Sequence, residues 1–364
     1  MKPLCEKIYL ELDMPNENDT LGDKDRIINA LKDKYENITM PYKIVKKLYP
    51  MCRENNFKIT VTILKRQYDW VVTNVEGKDT SNCNYGIAVD LGSTTITMQL
   101  INLNNKQVIA QESTFNKQVK YGEDILSRIF YTKQYKNGLR EIQKSTIESF
   151  KELINKLEIK SNINIKNCSI MIVSGNTTMT HFLLGINPWT IFQSPFTPVF
   201  NDGGFIKGED IDLPIDGYVY CFPSVANYFG GDLVSGLLYT EIYKKDELCA
   251  LIDIGTNGEL VIGNKDFLIA CAGAAGPALE GGISKYGMRA SDGAIDSIKI
   301  INNKITYTTI NNKKPRGICG SGIVDLIAQS FLNKWIDFSG TLIQENSNSI
   351  IKINDEYAIE YATI

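Results

Sequence analysis

The stretch Ile87-Ala88-Val89-Asp90-Leu91-Gly92-Ser93-Thr94-Thr95 decides how this chain is read. Apolar residues at alternate positions lead to an aspartate, and a Gly-Ser-Thr turn returns the chain into a second apolar run. Strand candidates follow at 86–90, 95–102 and 107–114, which together make a β-meander. The same pattern starts again at Leu251-Ile252-Asp253-Ile254-Gly255-Thr256-Asn257-Gly258-Glu259, with strand candidates at 248–254, 259–263 and 267–271. Asp253 stands 163 residues after Asp90, a period too long for a solenoid repeat. The duplication predicts two related α/β domains.

Outward from these two stretches the periodicity changes. An amphipathic helical pattern runs over 124–157, broken at Lys136-Asn137-Gly138, and leads to a strand at 169–173 and a helix that opens at Asn176. Pro188, Pro195 and Pro198 mark a loop-rich excursion before a strand at 218–222 and a helix at 232–243. After the second meander come helix candidates at 277–285 and 322–333, and strands at 295–301, 304–309, 350–353 and 357–361. The first residues carry strands at 7–12 and 58–64 and a helix at 25–35, closed by a polar link at 76–84. The reading is a small α+β module over 1–84, a first α/β domain over 85–247 and a second over 248–364.

Composition removes several classes of function. The chain has 364 residues, 43% apolar and 22% charged, which is globular composition with room for more than one core. Its 39 basic and 42 acidic residues leave a net charge of −3, so no overall basic excess points to nucleic acid or an anionic membrane. No run of 18 apolar residues occurs, and Met1-Lys2-Pro3-Leu4-Cys5 does not open a secretory signal, so a cytoplasmic protein is expected. Eight cysteines are spread along the chain without a C-x-x-C pair, which fits reduced and mostly buried thiols. His181 is the single histidine, so neither a Ser-His-Asp apparatus nor a histidine-based zinc site is expected.

The two aspartate–glycine turns carry the chemistry. Glycine lets the backbone approach an anion, hydroxyls and turn N–H groups donate to phosphate oxygens, and an aspartate holds hydrated Mg²⁺. One such turn makes an ordinary hairpin; two in duplicated units point to phosphate. Thr95 reads either as a phosphate-facing hydroxyl or as a strand residue facing the core. The run from Cys271 to Glu280 leads into a helix with Pro277 near its first turn. Its free N–H groups suit a nucleotide, and its small residues equally suit close packing. Gly317-Ile318-Cys319-Gly320-Ser321-Gly322 borders either the nucleotide or a packing turn.

These motifs resemble the superfamily of acetate and sugar kinases, heat-shock chaperones and actin, whose paired ribonuclease-H-like domains hold ATP between two phosphate hairpins. More narrowly, the chain is similar to the reductive activators of corrinoid proteins. The resemblance covers about residues 85–330 through strings that start at Tyr85, Asn116, Ser174, Asp253, Ala275 and Gly317, and the N-terminal run from Pro3 to Leu10 looks like the start of that family's middle domain. It implies ATP binding and hydrolysis that help drive one electron onto an inactive Co(II) corrinoid, restoring Co(I) for methyl transfer. An uphill one-electron transfer costs about 1.4 kcal/mol per ~59 mV, so an energy source is needed.

By the resemblance, Asp90 and Asp253 orient Mg²⁺ and one of them positions the attacking water. Gly92, Ser93, Thr94 and Thr95 form the first phosphate loop and Gly255, Thr256, Asn257 and Gly258 the second, while Gly276 and Glu280 attend the nucleotide and its ribose. Asn176 and Thr178 belong to a matching string. The implied partners are a corrinoid protein and a ferredoxin-type electron donor, on another polypeptide or in a segment missing from this chain, since no cysteine cluster for an iron–sulfur group is present here. No turn of the Ala-Gly-x-Phe-Gly type that contacts adenosine follows the second meander, so the second domain reads as truncated, with an exposed sheet edge or apolar patch. A homodimer is left open. The alternatives are a nucleotide-binding fragment or module without turnover, and a small-molecule kinase of the same superfamily.

Overall fold

The structure is a computed structural model that describes residues 4–122, 124–227, 229–255, 258–273, 285–288, 290–353 and 356–360. The chain divides into two compact units, Met1–Glu241 and Ile242–Ile364. Each is built from its own sheets and helices.

Unit 1 begins with β1 (Cys5–Glu11), α1 (Asp23–Leu31), β2 (Ile38–Thr39), α2 (Tyr42–Val45), α3 (Leu48–Arg53), β3 (Lys58–Lys65) and β4 (Trp70–Gly77). The strands form a sheet of order β1-β3-β4-β2, antiparallel except where β2 runs parallel to β4. Ile27, Leu31, Ile44, Leu48 and Cys52 from the helices pack on Ile59, Val61, Ile63, Trp70, Val72 and Val75 of the sheet. The strand β4 does not stand out in the sequence, where the polar residues from Glu76 onward read as a link; the structure carries the ladder through Glu76, opposite Thr60. Backbone pairing to β3 on one side and β2 on the other holds it there.

The second layer of unit 1 comprises β5 (Tyr85–Leu91), β6 (Thr95–Asn102), β7 (Gln107–Phe115), α4 (Ile125–Gln134), α5 (Gly138–Ser161), β8 (Ile170–Gly175), α6 (Thr177–Leu184), α7 (Trp189–Phe192), β9 (Phe205–Lys207), β10 (Tyr218–Cys221) and α8 (Gly231–Thr240). The sheet order is β7-β6-β5-β8-β10-β9. The meander pairs antiparallel, and β5, β8 and β10 run parallel. This is the meander-then-crossover sheet expected from the first repeat.

Alternation explains its packing. Ile87, Val89 and Leu91 of β5 and Ile96, Met98 and Leu100 of β6 are buried against Phe150, Leu153, Ile154 and Leu157 of α5. Burying each such side chain contributes about 1.5–3 kcal/mol. The break at 136–138 separates α4 from α5, and Asn162 in the left-handed region ends α5. A smaller cluster of Cys5, Leu64, Val71, Ile170 and Tyr218 joins the two layers of unit 1. Buried Asn84 supports it by accepting from the Ser169 hydroxyl at 2.9 Å.

Unit 2 repeats the meander as β11 (Cys249–Ile254), β12 (Gly258–Gly263) and β13 (Leu268–Gly273), antiparallel throughout. Then follow β14 (Ala294–Ile301), β15 (Lys304–Thr309), β16 (Gly317–Ile318), α9 (Gly320–Leu332), β17 (Ile350–Ile353) and β18 (Glu356–Ile359). The sheet β15-β14-β16 packs on α9 through Ile295, Ile298 and Ile318, with Ile323 and Leu326 of the helix. Gly322 sits so close to the sheet that a Cβ there would lie 2.4 Å from the Ile295 carbonyl oxygen. Asp325 accepts from the Ser297 hydroxyl at 2.8 Å and the Ile298 N–H at 3.0 Å. The small residues at 317–322 are thus explained by close packing, and buried Cys319 belongs to that turn.

The apolar surface expected of this region is present among the described residues. Ile252, Ile254 and Ile269 on the meander are each more than 60% exposed, and Phe338 is 98% exposed. Of the helix candidate at 277–285, residues 277–284 lie outside the described residues.

Candidate functional site

In unit 1 the parallel strands β5, β8 and β10 end at one edge of the sheet, because Leu91 pairs with Gly175 and Cys221 with Val173. Ligands in open α/β sheets gather outside the carboxyl ends of parallel strands. Three segments meet that edge: the Asp90 hairpin, Gly175-Asn176, and Gly230-Gly231-Asp232.

Asp90 is exposed near the end of β5, opposite Thr97 on β6 and beside Ser174 on β8. Gly92 follows, and a Cβ there would lie 2.5 Å from the Thr95 carbonyl oxygen, so the tight turn requires glycine. Ser93 is nearly buried at 9% exposure. Thr95 opens β6 with its side chain exposed, so of the two readings left open above, the core-facing one is excluded.

Asn116 holds this hairpin from behind. It is 1% exposed; its side-chain amide donates to the Gly92 carbonyl at 2.9 Å, and its backbone N–H donates to the Thr94 carbonyl at 2.8 Å. Its Oδ1 accepts from the Gln118 N–H at 3.0 Å. Gln118, wholly buried, donates to Thr146 Oγ1 at 2.5 Å and accepts from Arg128 Nη1 at 3.1 Å. Arg128 Nε in turn donates to the Gly122 carbonyl at 2.9 Å. A buried network of this kind rigidifies the loop in front of it.

Asn176 caps α6, its Oδ1 accepting from the Met179 N–H at 3.0 Å. Thr178 is buried in that helix. His181, fully buried, has Nδ1 2.7 Å from the Thr177 carbonyl oxygen and stacks on Phe200 with ring centroids 4.3 Å apart. Burial pushes its pKa down and outweighs the backbone hydrogen bond, so the ring is a neutral packing group. At β10 the edge continues to Asp232 in the first turn of α8, whose Oδ1 accepts from the Leu233 N–H at 2.8 Å. Neither Asn116 nor Asp232 emerged as a site residue from local patterning. The glycine pair 230–231 before a helix is the available signal for Asp232, and for Asn116 it is the family-like string that this residue opens.

In unit 2 Asp253 is half-buried on β11, directly opposite Glu259 on β12, and Ile254 faces Gly258 across the ladder. The hairpin thus presents two carboxylates on one face. Gly255 is exposed. Thr256, Asn257, Gly276 and Glu280 lie outside the described residues.

The cysteines do not gather. Cys5, Cys168 and Cys221 are buried, and burial pushes each thiol up to about 12. Among the described residues no three His, Cys, Asp or Glu side chains group as a metal site, and no helix is long and apolar enough to cross a membrane. The oxygen-rich donors of the Asp90 hairpin, an exposed carboxylate beside a glycine turn and three hydroxyls, nevertheless fit hydrated Mg²⁺ on a phosphate, since Mg²⁺ keeps most of its waters and takes one or two carboxylates.

Three regions of one family match the sequence: the RACo linker region over residues 1–82, the RACo middle region over 85–245, and the C-terminal domain of RACo, the ASKHA domain, over 247–363. The corrinoid activation enzyme RamQ of Eubacterium limosum is 35% identical over 278 residues, 76% of this chain and 46% of that protein. The [Co(II) methylated amine-specific corrinoid protein] reductase of Methanosarcina barkeri is 26% identical over 59% of this chain and 41% of its own length. The chain therefore spans somewhat less than half the length of these curated relatives. The solved structure of a reductive activator for corrinoid, iron–sulfur protein superposes with a TM-score of 0.88 at 35% identity, over 99% of this chain and 58% of that one. By these three regional matches and this structural agreement, the chain belongs to the RACo family, and residues 247–363 to its ASKHA domain.

Proposed function

We propose that this chain is the nucleotide-responsive part of a reductive activator, which binds Mg-ATP and helps return an inactive Co(II) corrinoid protein to Co(I) for methyl transfer. The observation that carries the reading is the 35% identity and 0.88 TM-score to a reductive activator across 99% of the chain. Asp90 is assigned to the hydrated cation, and the hydroxyls of Ser93, Thr94 and Thr95 with the turn N–H groups to phosphate oxygens. Gly92 keeps the turn tight, and Asn116 fixes the loop before ligand arrives, so little ordering is required on binding. In unit 2, Asp253, Gly255 and Gly258 have the corresponding assignment, and Thr256, Asn257, Gly276 and Glu280 join them by family resemblance. Mg²⁺, when bound, neutralises phosphate charge. The electron comes from a ferredoxin-type donor, and the reaction is placed in the cytoplasm.

Calorimetric titration of the chain with Mg-ATP tests the assignment. Wild-type binding is expected, with loss of at least about tenfold in affinity in both Asp90→Asn and Asp253→Asn and unchanged melting temperatures. Wild-type affinity in both variants would exclude the metal role. Anaerobic reduction of a Co(II) corrinoid iron–sulfur protein, followed by its Co(I) absorbance with and without ATP, tests the activity. Binding without hydrolysis or reduction would favour a nucleotide-binding module instead.

A further inference from the structure

A cavity of about 310 Å³ opens between two loops of unit 1. One loop contributes Phe196, Pro198 and Asn201 after α7, and the other contributes Val225, Asn227 and Phe229 between β10 and α8. Both walls are tied down. Thr177 Oγ1 donates to the Ala226 carbonyl at 2.8 Å, the Ser224 N–H to the Asn201 carbonyl at 2.8 Å, and the Val225 N–H to the Phe229 carbonyl at 2.8 Å. The cavity is thus preformed, beside the sheet edge that carries the Asp90 hairpin.

Its chemistry is specific. Asn227 Oδ1 is buried and accepts no hydrogen bond. A buried acceptor left in that state costs free energy, so the occupant supplies an N–H or O–H. Asn201 accepts from the Ser224 hydroxyl at 3.3 Å through its Oδ1, which leaves its amide nitrogen to donate. Among the described residues no charged side chain lines the cavity, which disfavours an ammonium, a carboxylate or a phosphate. Phe196 and Val225 form an apolar rim, 52% and 73% exposed. The complement of an acceptor and a donor inside an apolar collar is a primary carboxamide on a large apolar body.

We propose that this cavity takes a carboxamide arm of the partner protein's corrinoid. The inference rests on the proposed function and adds a subsite to it. A corrin ring is a methylated macrocycle edged with acetamide and propionamide arms, which matches an amide well within an apolar rim. Asn227 accepts from the arm's N–H and Asn201 donates to its carbonyl.

The test uses cobinamide, which carries the amide arms, and cobyrinic acid, in which carboxylates replace them. Wild type is expected to prefer cobinamide. Asn227→Leu and, separately, Asn201→Ala are each expected to weaken cobinamide binding about tenfold, the loss of one hydrogen bond to a desolvated group, with Mg-ATP affinity and melting temperature unchanged. Equal wild-type affinity for the two corrinoids, no cobinamide binding by wild type, or unchanged affinity in both folded variants would each overturn the subsite. Binding to corrinoid protein stripped of its corrinoid provides the remaining arm: if the variants lose affinity for that apoprotein equally, the cavity reads polypeptide and the corrinoid assignment falls. ATP-dependent reduction of the holoprotein by wild type reads the proposed function separately, so its failure is distinguishable from failure of the subsite.

Discussion

Asn116 donates its side-chain amide to the carbonyl oxygen of Gly92 at 2.9 Å, across 24 residues of chain, and so fixes the turn that follows Asp90. The same residue takes the Thr94 carbonyl with its backbone N–H at 2.8 Å. A buried polar side chain thereby sets the geometry of an exposed loop.

Asn116→Ala removes the amide and leaves the Gly92 carbonyl without that donor. A loss of about 1–3 kcal/mol in stability is expected by denaturant unfolding, with weaker Mg-ATP binding at temperatures where the variant is still folded. Full stability together with wild-type nucleotide affinity would show that the loop holds its shape without Asn116.

Gly92→Ala introduces a Cβ 2.5 Å from the Thr95 carbonyl oxygen, a backbone atom that cannot swing away. The turn must open, at a cost of about 1–3 kcal/mol. The expected result is a lower melting temperature with a sharper fall in nucleotide affinity than Gly22→Ala, at a φ of −64° where a Cβ would approach only the Asp25 carboxylate, at 3.3 Å. Equal nucleotide affinity in the two variants would argue against a tight phosphate turn at Gly92.

Thr95 separates a chemical role from a packing role. Its side chain is exposed, so Thr95→Val keeps the β-branched shape that the strand favours and removes only the hydroxyl. Stability within about 0.5 kcal/mol of wild type is expected. Titration with Mg-ATP then reads the hydroxyl alone, with weaker binding expected.

His181 makes stability depend on pH. Its folded pKa lies below the ordinary value of 6.5 because burial disfavours the charged ring. Below 6.5 the unfolded chain binds the proton more readily than the folded one, so stability is full above that value and falls as the pH drops beneath it. Nε2 is buried without a hydrogen-bond partner, so protonation there would place an N–H among apolar atoms. His181→Phe, which preserves the stack on Phe200, is expected to flatten that part of the pH–stability curve; an unchanged slope would assign it to other groups.

The sequence by itself determined both meanders, with Asp90 and Asp253 at the ends of their first strands. Strands 85–91 and 249–254 lie within one residue or so of where alternation puts them, and the break at 136–138 does separate two helices. These features are local: side-chain period, turn glycines and a capping Asn176 are set by neighbours a few residues away. Tertiary structure alone decided what surrounds them. The strand at 70–77 is held by β3 and β2, the donor to Gly92 arrives from Asn116, and the cavity joins 196–201 to 225–229. It also excluded the core-facing reading of Thr95 and gave the glycines at 317–322 a packing reason, through the contact between Gly322 and Ile295. Such relationships join segments remote in sequence, and their energy is released only when the sheet orders its strands and the helices cover it. No local periodicity carries that information.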